Sequence, residues 1–198
     1  MENSSVPTGH AGGSRKAAAT GTSTRKTSIA FAEKMKVNAK PKSTAARGVD
    51  LWHSANPQQF VEVFKASGPE LVRLVKEGAP ATFVGLLADT MQQPRTQLIS
   101  QLGLPSSTVR RRAAVKAKLN REETSRLVGM ARIIGQVQAM VEESGAPADF
   151  DAGPWVARWM ETPIPALGGS KPSEYMDTAE GQGVVSQLLS QMQSGAYA

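Results

Sequence analysis

Apolar residues recur at three- and four-residue spacings in successive segments from residue 56 to residue 195, and this spacing predicts amphipathic α-helices. Prolines, glycines and short polar residues separate these segments, as expected where helices begin and end. Regular structure is predicted to begin near Asn56-Pro57, and no stretch alternates apolar and polar residues as a strand does. The sequence therefore predicts an all-α fold.

A helix-turn-helix unit is predicted in the middle of the chain. Leu98 and Leu102 lie on one helical face, Gly103 follows them, and Val109 lies six residues beyond the glycine. This spacing lets the glycine form a tight turn while the leucines, Leu104 and the valine fill a small core beneath it. An ordinary helical hairpin is the alternative, but a hairpin would not need three arginines on its second helix.

The second helix of this unit carries the predicted DNA contacts. Short polar residues occupy its first turn, where a recognition helix approaches the base edges. Basic residues follow as far as Lys118, and they can reach phosphates or guanine acceptors. The predicted contacts are Ser106, Ser107, Thr108, Arg110, Arg111, Arg112 and Lys116. A solvated, charged helix face is the alternative interpretation.

A longer helix is predicted after Asn120, which resembles a capping box with Glu123. Its apolar stripe is wider than a coiled-coil seam, which is typical of an intramolecular core, although it could also pair two chains. The stripe includes Leu127, Met130, Ile134, Val137 and Val141.

A short helix and a rigid loop are predicted between Trp155 and Pro172. The apolar helix face ends at Thr162-Pro163, because the residue before a proline is pushed out of the helical region. The prolines and glycines that follow fix an irregular loop, and a core helix with a structural turn would explain this pattern. Thr178 then caps a last helix, whose predicted apolar side is Val184, Val185, Leu188, Leu189 and Met192.

Residues 159–172 read WMETPIPALGGSKP, and they resemble the tryptophan–Thr-Pro-x-Pro-Ala-Leu-Gly-Gly-x-x-Pro signature of the Xre/ParS/MbcA antitoxins. These antitoxins neutralise RES-domain toxins. The Thr-x-x-Arg-Arg segment of the second helix, the Asp-Thr-Ala-Glu-Gly segment at 177–181 and the Gly-Ala-Tyr end are also similar to the family pattern. The resemblance covers about residues 78 to 198.

The resemblance implies an antitoxin that occludes the NAD-binding cleft of a RES-domain toxin and represses its own operon at operator DNA. In the family, the terminal segment enters the toxin's active site. A homodimer or a larger complex is expected, because helix-turn-helix proteins read two half-sites by two-fold symmetry. The implied toxin-binding residues are Trp159, Pro163, Pro165, Leu167, Gly168, Gly169, Gly195, Ala196, Tyr197 and Ala198.

Charge divides the chain into blocks that suggest three domains. Residues 1–48 carry nine Lys/Arg and two acids, and residues 95–132 carry nine and two, so each block has a net charge of +7. Residues 133–198 carry two Lys/Arg and eight acids, a net charge of −6. We predict a disordered basic tail at 1–48, a helix-turn-helix domain at 49–132 and a toxin-binding domain at 133–198.

Several functional classes are disfavoured by what the sequence contains. The absence of cysteine excludes disulfides and thiolate metal sites, and no apolar run is long enough for a membrane span or a signal segment, which predicts a cytoplasmic protein. Neither His10 nor His53 neighbours a plausible base or ligand, so no enzyme activity, metal or cofactor is expected. A stand-alone helix-turn-helix regulator and a nucleoid binder driven by the tail remain alternatives.

Overall fold

A computed structural model describes residue 52, residues 55–145 and residues 150–195. Within these ranges the chain forms eight α-helices, two 3₁₀ turns and no strand, which confirms the all-α prediction. The predicted disordered tail at 1–48 lies outside the described residues. The helices are α1 Pro57–Lys65, α2 Gly68–Glu77, α3 Phe83–Thr90, α4 Arg95–Gln101, α5 Ser106–Ala114, α6 Arg121–Glu143, α7 Ala152–Met160 and α8 Ala179–Ser194. The 3₁₀ turns are Pro165–Leu167 and Pro172–Tyr175.

Asparagine side chains cap the starts of α1 and α6, as their sequence positions predict. The Asn56 side chain accepts a hydrogen bond from the backbone N–H of Gln59 at 3.0 Å, at the start of α1. The Asn120 side chain accepts from the Glu123 N–H at 2.8 Å, and the Glu123 carboxylate accepts from the Asn120 N–H at 2.8 Å. These bonds satisfy backbone donors that the first turn of a helix leaves without an intrahelical partner.

The long helix α6 lies at the centre of the fold, and α1, α2, α7 and α8 pack around it. Of the predicted stripe, Leu127, Met130, Ile134 and Val137 are buried within the chain, and Val141 is half-buried. Since its own fold covers this stripe, the alternative that the stripe pairs two chains is wrong. The predicted boundary between residues 132 and 133 falls inside α6, so this one helix serves both segments.

The predicted helix-turn-helix core is confirmed. Leu98, Leu102, Leu104 and Val109 are all buried. Gly103 has a φ of +56°, a conformation that costs a glycine little and a residue with a side chain more, and it makes the tight turn between α4 and α5. A backbone hydrogen bond joins the segment before α3 to the segment after α5, where the Leu119 N–H donates to the Ala79 carbonyl at 2.8 Å.

The last helix departs from the predicted apolar side. Val185, Leu188 and Leu189 are buried, but Val184 is 43% exposed and Met192 is 37% exposed. At about 100° per residue, Val184 lies at the edge of the inward face, whose centre is close to Val185. Met192 lies seven residues after Val185 and so has nearly the same direction, and it is exposed near the end of the helix.

Candidate functional site

The helix α5 presents its first turn and two arginines to solvent. Ser106, Ser107, Arg110 and Arg111 are exposed, and Thr108 is half-buried. Val109 points the opposite way, into the helix-turn-helix core. The geometry therefore leaves one polar, cationic face of α5 open to solvent.

The helix α5 is shorter than predicted, because it ends at Ala114 and does not continue to Lys118. Lys116 has a φ of +52°, and the Ala117 N–H donates to the Arg112 carbonyl at 2.8 Å. This is the bond that closes a helix in a Schellman motif. Lys116, one of the predicted contacts, consequently lies beyond the end of the helix.

Arg112 occupies a different position from the other two arginines of α5. Its Nη1 donates to Oε2 of Glu123, and the two side chains are 27% and 6% exposed. The same carboxylate oxygen accepts from the Asn120 N–H, at the start of α6. An arginine that is held in this way fixes the rotation of α5 against α6, so its geometry favours a positioning role over the predicted DNA contact.

Arg126 on α6 stabilises the turn between α4 and α5 through its guanidinium group. Its Nη1 donates to the Gly103 carbonyl at 2.8 Å and to the Leu102 carbonyl at 3.3 Å, and its Nη2 forms an ion pair with Glu122. A charged donor thus satisfies the carbonyl of Leu102, the cap residue of α4, and the carbonyl of Gly103 in the turn. The sequence analysis did not single out this residue.

The segment between Thr162 and Pro172 is an exposed loop that is closed by its own backbone hydrogen bonds. The Ile164 N–H donates to the Ser170 carbonyl at 3.1 Å, and the Gly169 N–H donates to the Ile164 carbonyl at 3.1 Å. Ile164 is 6% exposed and anchors the loop in the fold. Of the predicted toxin-binding residues in the loop, Leu167 is half-buried, and the exposed ones are Pro163, Pro165, Gly168 and Gly169.

The loop has little freedom to change its shape. Gly168 and Gly169 have φ angles of +65° and +87°, and a Cβ added at either glycine would meet nothing within 4 Å. Backbone conformation, and not crowding, therefore explains why glycines stand here. With the prolines on either side, the loop presents a preformed surface to solvent.

Trp159, another predicted toxin-binding residue, is half-buried in α7. It stacks on Trp155 with ring centroids 5.8 Å apart and an angle of 13° between the ring planes. Both rings also pack against the hydrophobic core. The pair therefore belongs to the border of the hydrophobic core, and part of Trp159 stays accessible just before the loop.

A polar network joins the loop to the first helix of the helix-turn-helix unit. Gln101 at the end of α4 donates to the Glu161 carboxylate at 2.9 Å, and Lys171 donates to its other oxygen at 3.0 Å. The hydrogen bond from Gln101, together with the bonds and the charge that Lys171 and Ser173 supply, holds the pKa of Glu161 below its ordinary value. The two ends of the loop are thus fixed to one another and to α4.

The C-terminal end of the predicted toxin-binding set is described only at Gly195. Gly195 has a φ of +71° and ends α8, as the sequence predicts. Ala196, Tyr197 and Ala198 lie outside the described residues. Their predicted contact with a toxin therefore remains a prediction.

Comparison with known proteins matches both parts of this arrangement. The family model of the antitoxin Xre-like helix-turn-helix domain matches residues 70–132. The family model of the antitoxin Xre/MbcA/ParS C-terminal toxin-binding domain matches residues 148–195. The chain is 37% identical over 142 residues to the Prs ADP-ribosylating antitoxin of Sphingobium sp. (strain YBL2), which covers 72% of this chain and 89% of that protein. The chain belongs to the Xre/MbcA/ParS antitoxin family.

Two proteins named Antitoxin Xre are more distant relatives. The one from Photorhabdus laumondii subsp. laumondii is 25% identical over 130 residues, and the one from Yersinia enterocolitica is 26% identical over 130 residues. Each alignment covers 66% of this chain and 82% of the relative. Both relatives are therefore matched over most of their own length.

The two matched segments contain different parts of the fold. Residues 70–132 include α4 and α5, and residues 148–195 include α7, the exposed loop and α8. Among the described residues, no group of three or more His, Asp or Glu side chains is placed to hold a metal ion. No helix in the described part of the chain is long and apolar enough to cross a membrane.

Proposed function

We propose that this antitoxin binds a RES-domain toxin and occludes its NAD-binding cleft, and that its helix-turn-helix unit represses the shared operon. The observation that carries the proposal is the exposed, hydrogen-bonded loop between Thr162 and Pro172, which lies in the segment matched by a toxin-binding domain. A toxin and operator DNA are both cytoplasmic partners, so we place this function in the cytoplasm.

A loop of this kind is suited to binding a protein partner. Because its backbone is already fixed, association loses little conformational entropy, and preorganised surfaces gain affinity in this way. Leu167 and the flanking prolines supply apolar contact, while the two glycines allow a close approach of the backbone. The name of the Sphingobium relative refers to ADP-ribosylation, which supports a toxin whose chemistry uses NAD.

Copurification tests the partner most simply. The antitoxin should copurify with the product of the adjacent reading frame, and that product should contain a RES domain. Deleting Gly195–Ala198 should preserve the helical fold and weaken protection, because an extended four-residue end spans roughly 13 Å and can enter a nucleotide-sized cleft. Equal protection by the truncated chain would assign the block to the loop or to bulk occlusion by the domain. An adjacent gene that encodes no toxin would favour a stand-alone regulator.

Operator binding is proposed for the exposed face of α5, with Ser106, Ser107 and Thr108 near the base edges and Arg110 and Arg111 on phosphates or guanines. Each lost phosphate contact flattens the slope of log affinity against log salt concentration by about 0.9. The variant Arg110→Ala/Arg111→Ala should therefore bind the operator more weakly and with a flatter slope. An unchanged slope and an unchanged footprint would refute this assignment.

Arg112 supplies a matched control for that experiment. Because its guanidinium is paired with Glu123, Arg112→Met should weaken operator binding while leaving the salt slope unchanged, and Arg112→Lys should recover part of the affinity. A slope flattened as much as by the loss of Arg110 or Arg111 would instead make Arg112 a phosphate contact. Lys116, which lies past the end of α5, should have a smaller effect than either exposed arginine.

A further inference from the structure

A groove of about 800 Å³ runs along α6 on a face that neither the loop nor α5 uses. The helix α2 forms one wall, α8 forms the other, and α6 forms the floor. Residues from Arg121 to Ile133 on α6 line it, so the groove follows that helix for twelve residue steps. At a rise of 1.5 Å per residue this length is about 18 Å, which matches a helix of about three turns.

The wall formed by α2 is apolar. Leu71, Val72 and Val75 line it, and Val128 and Ile133 continue the apolar surface onto the floor. Val72 is 53% exposed, one of the largest exposures of an apolar side chain in the described residues. An apolar side chain exposed in a concave surface is typical of a binding groove, whereas a single one on a convex surface is ordinary.

Small residues on one side of α8 form much of the opposite wall, with Gln182 and Gln187 beside them. Ala179, Gly183, Ser186 and Ser190 recur at spacings of four, three and four, and all of them line the groove. A Cβ added at Gly183 would meet nothing within 4 Å. Small side chains along one wall let the backbone of a second helix approach closely, so the shape favours a helix as the occupant.

The charges that line the groove are all positive. Lys76, Arg121 and Arg132 are exposed there, and no described residue forms an ion pair with any of the three. Among the described lining residues there is no aspartate or glutamate. An occupant with acidic side chains beside its apolar face would complement these cations.

We propose that this groove binds an amphipathic helix of about three turns from a partner protein, with Asp or Glu residues flanking the apolar face of that helix. The antitoxin's own residues 1–48 are a poor occupant, because they carry nine Lys/Arg and two acids and would be repelled. This site is separate from the exposed loop and from α5, so it extends the proposed function and does not depend on it.

Two labelled helical peptides of about eleven residues test the proposal against the full chain by fluorescence anisotropy. Both have leucines at positions i, i+4 and i+7, and one has flanking glutamates where the other has lysines. The glutamate peptide should bind about tenfold more tightly, which is the expected effect of a few exposed ion pairs. Equal affinity of the two peptides, or no binding of either, would overturn the proposal.

Matched variants locate the site. Val72→Asp should weaken binding of the glutamate peptide at least tenfold, and Val115→Asp should not, since Val115 is 71% exposed but does not line the groove. Lys76→Glu/Arg121→Glu should remove the preference for glutamate over lysine, and Arg158→Glu on α7 should keep it. Circular dichroism should show that all four variants retain the helical fold.

Two further results would contradict the proposal. If Val115→Asp weakened binding as much as Val72→Asp, the peptide would be binding outside the groove. If Val72→Asp but not Val115→Asp turned a dimer into a monomer in sedimentation, the groove would hold a second copy of the chain, and an acidic partner helix would be the wrong occupant.

Discussion

The sharpest stability prediction concerns Gly135, where α1 crosses the central helix α6. A Cβ added at this glycine would lie 1.9 Å from the Phe60 carbonyl oxygen and 2.3 Å from its carbonyl carbon. Ordinary contacts at such a position begin near 3.4 Å, so α1 must move by about 1.5 Å to admit Gly135→Ala. The clash is with backbone, and rotation of a side chain cannot relieve it.

The magnitude follows from two opposing terms. Alanine gains about 1 kcal/mol over glycine in helix propensity. Overpacking costs roughly 1–3 kcal/mol, and moving α1 outward opens a gap beneath Phe60, which is fully buried and contributes about 1.5–3 kcal/mol by its burial. The second term is larger, so the free energy of unfolding should fall by about 2–3 kcal/mol. At about 2–4 °C per kcal/mol, the Tm should drop by roughly 5–10 °C.

Urea unfolding followed by circular dichroism measures this loss, and Gly183→Ala is the matched control. Gly183 also lies inside a helix, but a Cβ added there meets nothing within 4 Å, so this variant should be more stable by about 0.5–1 kcal/mol. The two glycine-to-alanine changes should therefore have opposite signs. If Gly135→Ala were as stable as the unsubstituted chain, the close crossing of α1 and α6 would be refuted.

Three further predictions concern other parts of the molecule. Hydrogen bonds hold the pKa of Glu161 below its ordinary value in the folded chain, so its contribution to the free energy of unfolding is present above about pH 5 and is lost as the pH falls through the folded pKa. Between pH 6 and pH 3, the urea midpoint should therefore fall less for Glu161→Gln than for the unsubstituted chain. Equal falls of the two midpoints would contradict this role. Asn120→Ala removes the cap of α6 and should cost about 1 kcal/mol, whereas an unchanged Tm would show that the cap contributes nothing. Sedimentation should show a homodimer or a larger assembly. A monomer at micromolar concentration, both alone and on DNA, would refute the prediction that two copies of the chain bind the two half-sites of the operator.

Local spacing made most of the fold predictable. The helix-turn-helix core, the caps at Asn120 and Thr178 and the end of α7 before Pro163 all depend on residues within a few positions of one another. The end of α5 was not predictable in the same way, because Lys116 adopts the left-handed conformation that a glycine usually signals. The predicted helix consequently ran past its true end.

The sites were less predictable because their partners are distant in sequence. In the sequence, Arg112 cannot be distinguished from Arg110 and Arg111, because only the packing of α5 on α6 brings Glu123 beside it. Gln101 and Glu161 are sixty residues apart, and no spacing rule connects them. The exposed loop was found because its proline and glycine pattern resembles a family signature, and not because its chemistry indicates a partner.

The activity of the purified partner toxin, followed as loss of NAD, tests the central claim most directly. The full chain should suppress this loss, and Leu167→Asp should suppress it much less. Val115→Asp should suppress it as the full chain does, because Val115 is 71% exposed past the end of α5 and lies outside the segment matched by the toxin-binding domain. Circular dichroism should show an unchanged helical fold in both variants. A toxin that consumes NAD equally fast with and without the full chain, or full protection by Leu167→Asp, would contradict the account.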